Sequence, residues 1–299
     1  MKAESMLVTF WGTRGSISTP GPHTEKYGGN TACVSVRQGP TILVFDAGTG
    51  IRELGLHLMR EYGRTGAPLE VHLLLSHTHW DHIQGLPFFS PAYLPDTKLN
   101  IYGSPKKGRF LSAVLERQMD TQYFPVSMRE WKSHIAIREI KNDRIDINGI
   151  HIVSEEQHYH PGGSIRFRVT SGHAKVVYAS DVELDAFMTS GPPDANQALP
   201  AHADAYKAFI QDADLLIGDG QYTTEEYMRY AGWGHTSAPV LAKTALSCGV
   251  KRLAIFHHDP QHSDRYLDRM VHRLGVEYAE KAPSGSLFLA REGMTLAIG

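Results

Sequence analysis

Three histidines and one aspartate fall within six positions of "LLLSHTHWDHIQGLPFF", residues 73–89: His77, His79, Asp81 and His82. Each side chain can coordinate a metal. They follow an apolar run, where burying such groups without partners is costly. His77 and His79 are two apart, so an extended segment points both the same way. A turn after them brings Asp81 and His82 round to a second position close by. Four ligands so near one another do not readily serve a single tetrahedral ion; they suit two neighbouring ions that share one loop.

The same design recurs elsewhere. "QHYHPGGSIRFRV" offers His158 and His160, "VVYASDVE" ends an apolar run in Asp181, and "LAIFHHDP" ends one in His257 and His258. A carboxylate such as Asp181 can bridge two cations. His258 adjoins His257 and so faces the other way in an extended strand; it and His158 read as neighbours rather than ligands. Arg14, in the glycine-rich opening loop, is a candidate for reaching a phosphate.

These residues need a scaffold of strands that end where the chemistry begins. "LVTFWG", "CVSVR" and "TILVFDAG" read as strands separated by Gly/Pro-rich turns. "VHLLLS" is nearly all apolar, as a strand covered on both faces would be. "LNIYGSP", "GIHIVSEEQ", "SIRFRVTS", "KVVYASD", "DLLIGDG" and "KRLAIFHHD" add more strands, and "SLFLAREGMTLAI" closes the chain. Ile51, Leu54, Leu58 and Tyr62 carry helical spacing, as do Leu267, Met270, Val271, Leu274 and Tyr278. "SAPVLAKTALSCGV" reads as a helix with Ser237 as N-cap and Gly249 as its stop. Residues 105–131 read as largely helical, a candidate lid. With no internal repeat or linker, residues 1–299 are expected to form one domain, an α/β fold of sheets sandwiched between helices.

Composition narrows the partners. The chain has 299 residues, 41% hydrophobic and 21% charged, with a formal net charge of −2. That balance argues against broad charge-driven binding to nucleic acid or anionic membranes. No apolar run spans a membrane and no signal peptide opens the sequence, so a cytoplasmic location is expected. Two cysteines, Cys33 and Cys248, make neither a disulfide framework nor a zinc cluster.

On these motifs the sequence resembles the metallo-β-lactamase fold superfamily of hydrolases, within it the ribonuclease Z-like branch. "FDAGTG" matches the first family motif and "HTHWDH" the second. His160, Asp181 and His257 match the third, fourth and fifth, and "GWGHTSAPVLAKTA" is similar to the branch's Gly-His-Ser/Thr segment, which places His235 near the metals. The opening "FWGTRGSISTPGP" is similar to bacterial members described as cyclic-nucleotide phosphodiesterase-like. The resemblance implies an αββα sandwich with a dinuclear metal site at the edge between two β-sheets. It implies that His77, His79 and His160 hold one ion, that Asp81, His82 and His257 hold the other, and that Asp181 bridges. Asp46 is implied to orient a ligand histidine from behind. Two divalent ions are expected, zinc by default, with manganese or iron also suited.

The resemblance has two departures. Only twenty residues separate His160 from Asp181, too few for the arm with which ribonuclease Z grips tRNA. "GDGQ" replaces the branch's His-Glu-Ala-Thr segment, with Gly218 and Asp219 at the histidine and glutamate positions. The expected activity is therefore hydrolysis of a small phosphodiester, a 3′,5′-cyclic nucleotide leading, by a hydroxide held between the ions. His235 and Asp81 are the catalytic candidates. No extended nucleic-acid binding is expected, and a homodimer stays open. The alternatives are another hydrolase on the same metals, acting on an RNA 3′ end, a lactone or a thioester, and a non-catalytic metal-dependent sensor.

Overall fold

The computed structural model describes residues 4–104, 108–188 and 198–299. The first half runs β1 (Met6–Gly12), β2 (Cys33–Gln38), β3 (Thr41–Phe45), α1 (Ile51–Thr65), β4 (Leu69–Leu74), α2 (Trp80–Ile83), β5 (Thr97–Gly103), α3 (Leu111–Gln118) and β6 (His134–Glu139). The second half runs β7 (Arg144–Ile147), β8 (Ile150–Gln157), β9 (Ser164–Ser171), β10 (Ala174–Ala179), α4 (Asp185–Met188), α5 (Ala198–Ile210) and β11 (Leu215–Asp219). It closes with α6 (Thr224–Tyr230), α7 (Ala238–Ser247), β12 (Leu253–Phe256), α8 (Asp264–Glu277), β13 (Leu287–Leu289) and β14 (Thr295–Ile298).

Two seven-stranded sheets result, ordered β14-β1-β2-β3-β4-β5-β6 and β13-β12-β11-β10-β9-β8-β7. In the first sheet the β14-β1-β2-β3 pairings are antiparallel and the β3-β4-β5-β6 pairings parallel. In the second, β7-β8-β9-β10 is antiparallel and β10-β11-β12-β13 parallel.

Alternation within each strand explains the layering. Leu43 and Phe45 of β3, Val176 and Tyr178 of β10, and Ala254 and Phe256 of β12 face a core between the sheets. Their neighbours Ile42 and Val44 turn outward, packing with Ile51, Leu54 and Leu58 of α1 and Leu111 and Leu115 of α3. Val177, Leu216 and Ile255 likewise meet Leu241 of α7 and Leu267 and Leu274 of α8. Both faces of these strands are covered, which is why they read as continuous apolar runs. The layers are helix, sheet, sheet, helix, the α/β sandwich expected.

Three local features add to or differ from the expected elements. "HIAIRE" and "RIDI" are strands, β6 and β7, each at a sheet edge. The closing segment is two strands in different sheets, joined by a turn in which Glu292 accepts bonds from Asn30 N (2.5 Å) and Nδ2 (3.0 Å). Of residues 105–131, positions 105–107 lie outside the described residues, and the rest is less helical than expected. Leu111, Leu115, Met119, Met128 and Trp131 are buried in the outer core. The described part of the segment is therefore anchored wall rather than free lid.

Candidate metal centre

The parallel strands of each sheet deliver polar residues at their carboxyl ends, where ligands bind in open α/β sheets. Asp46 follows β3, His77 follows β4, Asp181 follows β10, Asp219 ends β11 and His257 follows β12. Three of these take left-handed backbone: Asp46 (φ 59°), Asp181 (φ 57°) and His257 (φ 63°). Non-glycine residues reach that region at a cost of roughly 1–3 kcal/mol each, and such positions cluster at functional sites. The turn that reverses each strand also aims its side chain into the gap between the sheets.

There the residues converge. His160 Nε2 lies 3.0 Å from His79 Nδ1. His82 Nε2 lies 3.2 Å from His257 Nε2 and 3.3 Å from Asp81 Oδ2. Asp181 sits between the groups, with Oδ1 3.8 Å from His77 Nε2 and 3.5 Å from His257 Nε2, and Oδ2 3.2 Å from His82 Nε2. Among the described residues, four overlapping sets of potential ligand atoms each fit within 4.8 Å. They are His77-His79-His160, His77-His82-Asp181, Asp81-His82-His257 and Asp181-Asp219-His235-His257.

The donor chemistry fits divalent metal ions, which the fold also implies. Buried His77 Nε2 has no hydrogen-bond partner, a costly arrangement unless a cation takes its lone pair. The opposite ring nitrogens are fixed from behind. His77 Nδ1 meets Ser76 Oγ (3.0 Å), His82 Nδ1 meets Asp46 Oδ2 (2.8 Å), His160 Nδ1 donates to Gly234 O (3.0 Å) and His257 Nδ1 donates to Gln221 Oε1 (2.9 Å). These bonds turn Nε2 of each toward the cluster. Asp46 is itself held by Ser76 N (2.7 Å) and by the Tyr178 hydroxyl (2.6 Å).

Electrostatics at the centre favour cations. Burial alone would raise the Asp81 and Asp181 carboxyls, but the surrounding imidazoles hold both well below the usual range. Burial opposes charge on His257, yet Asp181 and Asp81 raise it to about 9. The same competition raises His82. Burial dominates at His77 and His160 and pushes both down, which keeps their lone pairs available.

The other candidates fall into three places. His235 is part of the cluster, its Nδ1 2.8 Å from Asp219 Oδ2 and 3.8 Å from Asp181 Oδ1. His258 faces away, bonded through Nε2 to Ala290 O at 2.8 Å, and burial lowers it to about 3. His158 is exposed and packs against His202, with ring centroids 4.9 Å apart. Arg14 requires correction: its side chain is fully buried and donates to the carbonyls of Gly28 (2.7 Å), His262 (2.7 Å) and Asp259 (3.1 Å). It ties the opening loop to the segment after β12 and has no reach to a substrate.

Asp219, Gln221 and Glu183 join the site beyond the candidates expected from sequence. Asp219 had the same signal as Asp181, an aspartate at the end of an apolar run. Glu183 had none: it is buried and gathers the backbone N–H groups of Gly232 (2.7 Å) and Gly234 (3.0 Å).

Beside the cluster opens a cavity of about 1020 Å³, whose wall includes His77, His160, His158, Arg109 and Lys141. No helix among the described residues is long and apolar enough to cross a membrane.

Comparison with known proteins places this geometry. The beta-lactamase superfamily domain matches residues 41–258. Ribonuclease Z of Haloarcula marismortui is 24% identical, the alignment covering 97% of this chain and 96% of its own. Among solved structures, the metallo-beta-lactamase fold protein YhfI from Bacillus subtilis superposes with a TM-score of 0.66 at 19% identity, covering 98% of this chain and 100% of its own. Human tRNase Z, short form, gives 0.63 at 19% identity, covering 98% and 99%. These relatives overturn the expectation of a small phosphodiester without extended nucleic-acid binding, because proteins aligned over nearly the whole chain are ribonucleases. Net charge misled here, since a sum over the whole chain says little about the cations at one cavity wall. Sheet order, strand-end ligands and full-length matches agree: the chain belongs to the beta-lactamase superfamily and is a metal-dependent hydrolase with the metallo-β-lactamase fold.

Proposed function

We infer that the protein is a phosphodiester hydrolase acting on RNA, a ribonuclease Z-like 3′-end nuclease. The observation that carries this reading is the wide cavity beside His77 and His160, with Arg109 and Lys141 in its wall. It adjoins a cluster built to gather cations, and both features suit a polyanion. The full-length likeness to ribonuclease Z supports the same substrate class.

In this reading His77, His79 and His160 would hold one divalent ion, zinc by default, Asp81, His82 and His257 would hold another, and Asp181 is within reach of both sets. Bound there, such ions would make a water acidic enough to deprotonate near neutral pH and would offset charge on phosphoryl oxygens. Asp46, Gln221, Ser76 and the Gly234 carbonyl fix the ring orientations, so the donor atoms need no rearrangement. Asp81 also accepts the Ser16 N–H at 2.7 Å, which docks the opening loop at the site. His235 faces Asp219 through Nδ1, and with a proton on both ring nitrogens it gives Nε2–H to the departing oxygen and is left neutral, with Nδ1–H still on Asp219.

The test compares initial rates, at matched metal loading, on a precursor RNA with a 3′ extension, a cyclic nucleotide, a lactone and a thioester. Preference for the RNA with cleavage at the extension is expected. Faster turnover of any other substrate would overturn the reading.

A further inference from the structure

Trp233 stands out on the loop between α6 and α7. It is 62% exposed, yet its loop is tied down at both flanking residues. Both neighbours are left-handed glycines, Gly232 at φ 88° and Gly234 at φ 89°. Their N–H groups donate to the two oxygens of one buried carboxylate, Glu183, which also accepts the Tyr227 hydroxyl at 2.7 Å. A Cβ on Gly234 would lie 2.4 Å from Pro161 and 2.5 Å from His160 Nδ1, so the loop is pressed onto a ligand histidine.

The indole is also backed from within. Its ring centroid lies 5.2 Å from that of Tyr230, which lies 5.2 Å from Tyr222, which in turn lies 6.0 Å from His235. A single exposed aromatic is ordinary. One clamped on both sides by a buried carboxylate is a preorganised surface, with little mobility left to lose on binding. Two residues of chain span at most about 7 Å, so Trp233 lies that close to His235, backbone to backbone.

We propose that Trp233 is a stacking platform for an unpaired base of the RNA, within two nucleotides of the cleaved linkage. This rests on the function inferred above. The indole offers a flat apolar face and the loop no hydrogen-bond code, so the platform grips any base and positions the strand without reading its sequence. Trp233 is thus a positioning residue: it acts on KM, whereas His235 acts on kcat.

The experiment uses the full, metal-loaded chain and a single-stranded RNA oligonucleotide. The same strand is also prepared with one base missing, at each position near the cleaved linkage in turn. Removing the critical base should raise KM about 10-fold for the wild type, the size of one lost base–aromatic stack, and less than 2-fold for Trp233→Ala. Trp233→Ala should raise KM about 10-fold on the intact strand, with kcat changed far less, and Trp233→Phe should restore most of the loss. Equal KM values for wild type and Trp233→Ala on cleaved RNA would overturn the platform and leave the ribonuclease reading standing. A loss in Trp233→Ala that persists undiminished on every base-deleted strand would also overturn it. A wild-type protein that neither binds nor cleaves RNA would overturn both.

Discussion

Gly15 sits against His257, and replacing it with alanine tests how finely the metal cluster is set. A Cβ at this position would lie 2.4 Å from both Cε1 and Nδ1 of the His257 ring. Ordinary contact between such atoms is about 3.5 Å or more, so the ring must retreat by about 1 Å. Gly15 does not take left-handed backbone, so alanine adds no conformational strain and the effect is purely steric. The loop cannot easily yield instead, because Gly15 N is bonded to His258 O at 3.0 Å and Ser16 N to Asp81 at 2.7 Å. The ring is held by Gln221 at 2.9 Å and lies 3.1 Å from Asp81 Oδ2, and a 1 Å retreat breaks that arrangement. Disturbing the support of a ligand histidine costs about 10–100-fold in metal affinity, and a 1 Å misplacement about 10²-fold in rate. Metal content after dialysis against a weak chelator, together with kcat/KM on the model diester bis(p-nitrophenyl) phosphate, reads both. Gly63→Ala is the control, since its Cβ meets nothing within 4 Å. Full metal content and an unchanged rate in Gly15→Ala would refute the claim that His257 is a positioned ligand.

Other substitutions separate the roles. Asp181→Ala should lose metal and activity together, whereas His258→Ala should keep its metal while losing about 2–4 kcal/mol of stability to a cavity, as elemental analysis and urea denaturation would show. His235→Ala and Asp219→Asn should each lower kcat by about 10²-fold with metal retained, and the double variant should be little worse than either; full additivity would dissolve the pair. Glu226 offers a pH test: burial would raise its carboxyl, but bonds from His262, Thr223 and Tyr266 hold it at about 2. A carboxyl lowered on folding stabilises above its unfolded value near 4.5, and that contribution fades as pH falls toward 2. Glu226→Gln should therefore be less stable by about 2 kcal/mol at pH 7, with the gap from wild type narrowing below pH 4.5; a gap independent of pH would exclude ionisation as its source.

The strand ends of the candidate metal centre are legible because each apolar run stops at a potential ligand, a pattern local to a few residues. Asp219 carries the same signal at the end of β11. The left-handed backbone at Asp46, Asp181 and His257 is only weakly marked in residue type: aspartate and histidine are enriched there but occur in other turns as well. β6 escaped notice because an edge strand keeps polar residues on its open side, and its burial pattern is mostly exposed. Arg14 misled for a related reason: its partners are carbonyls at Asp259 and His262, remote in sequence, and burial of that kind cannot be read locally. The short segment between His160 and Asp181 says nothing by itself of what the site takes.

The chain's last strand has a consequence for how the protein comes into being. β14 pairs with β1, joining Met6 to Ile298, while β13 completes the opposite sheet. A ribosome releases β1 well before β14, so that edge of β1 stays unpaired until β14 has been made. His257 emerges after β12, so the cluster cannot assemble until both sheets' ligand-bearing strands are out. Pairings between such distant segments fold slowly, and open strand edges invite association with other chains. Production should therefore depend on nascent-chain concentration and chaperone supply more steeply than the buried core alone would suggest.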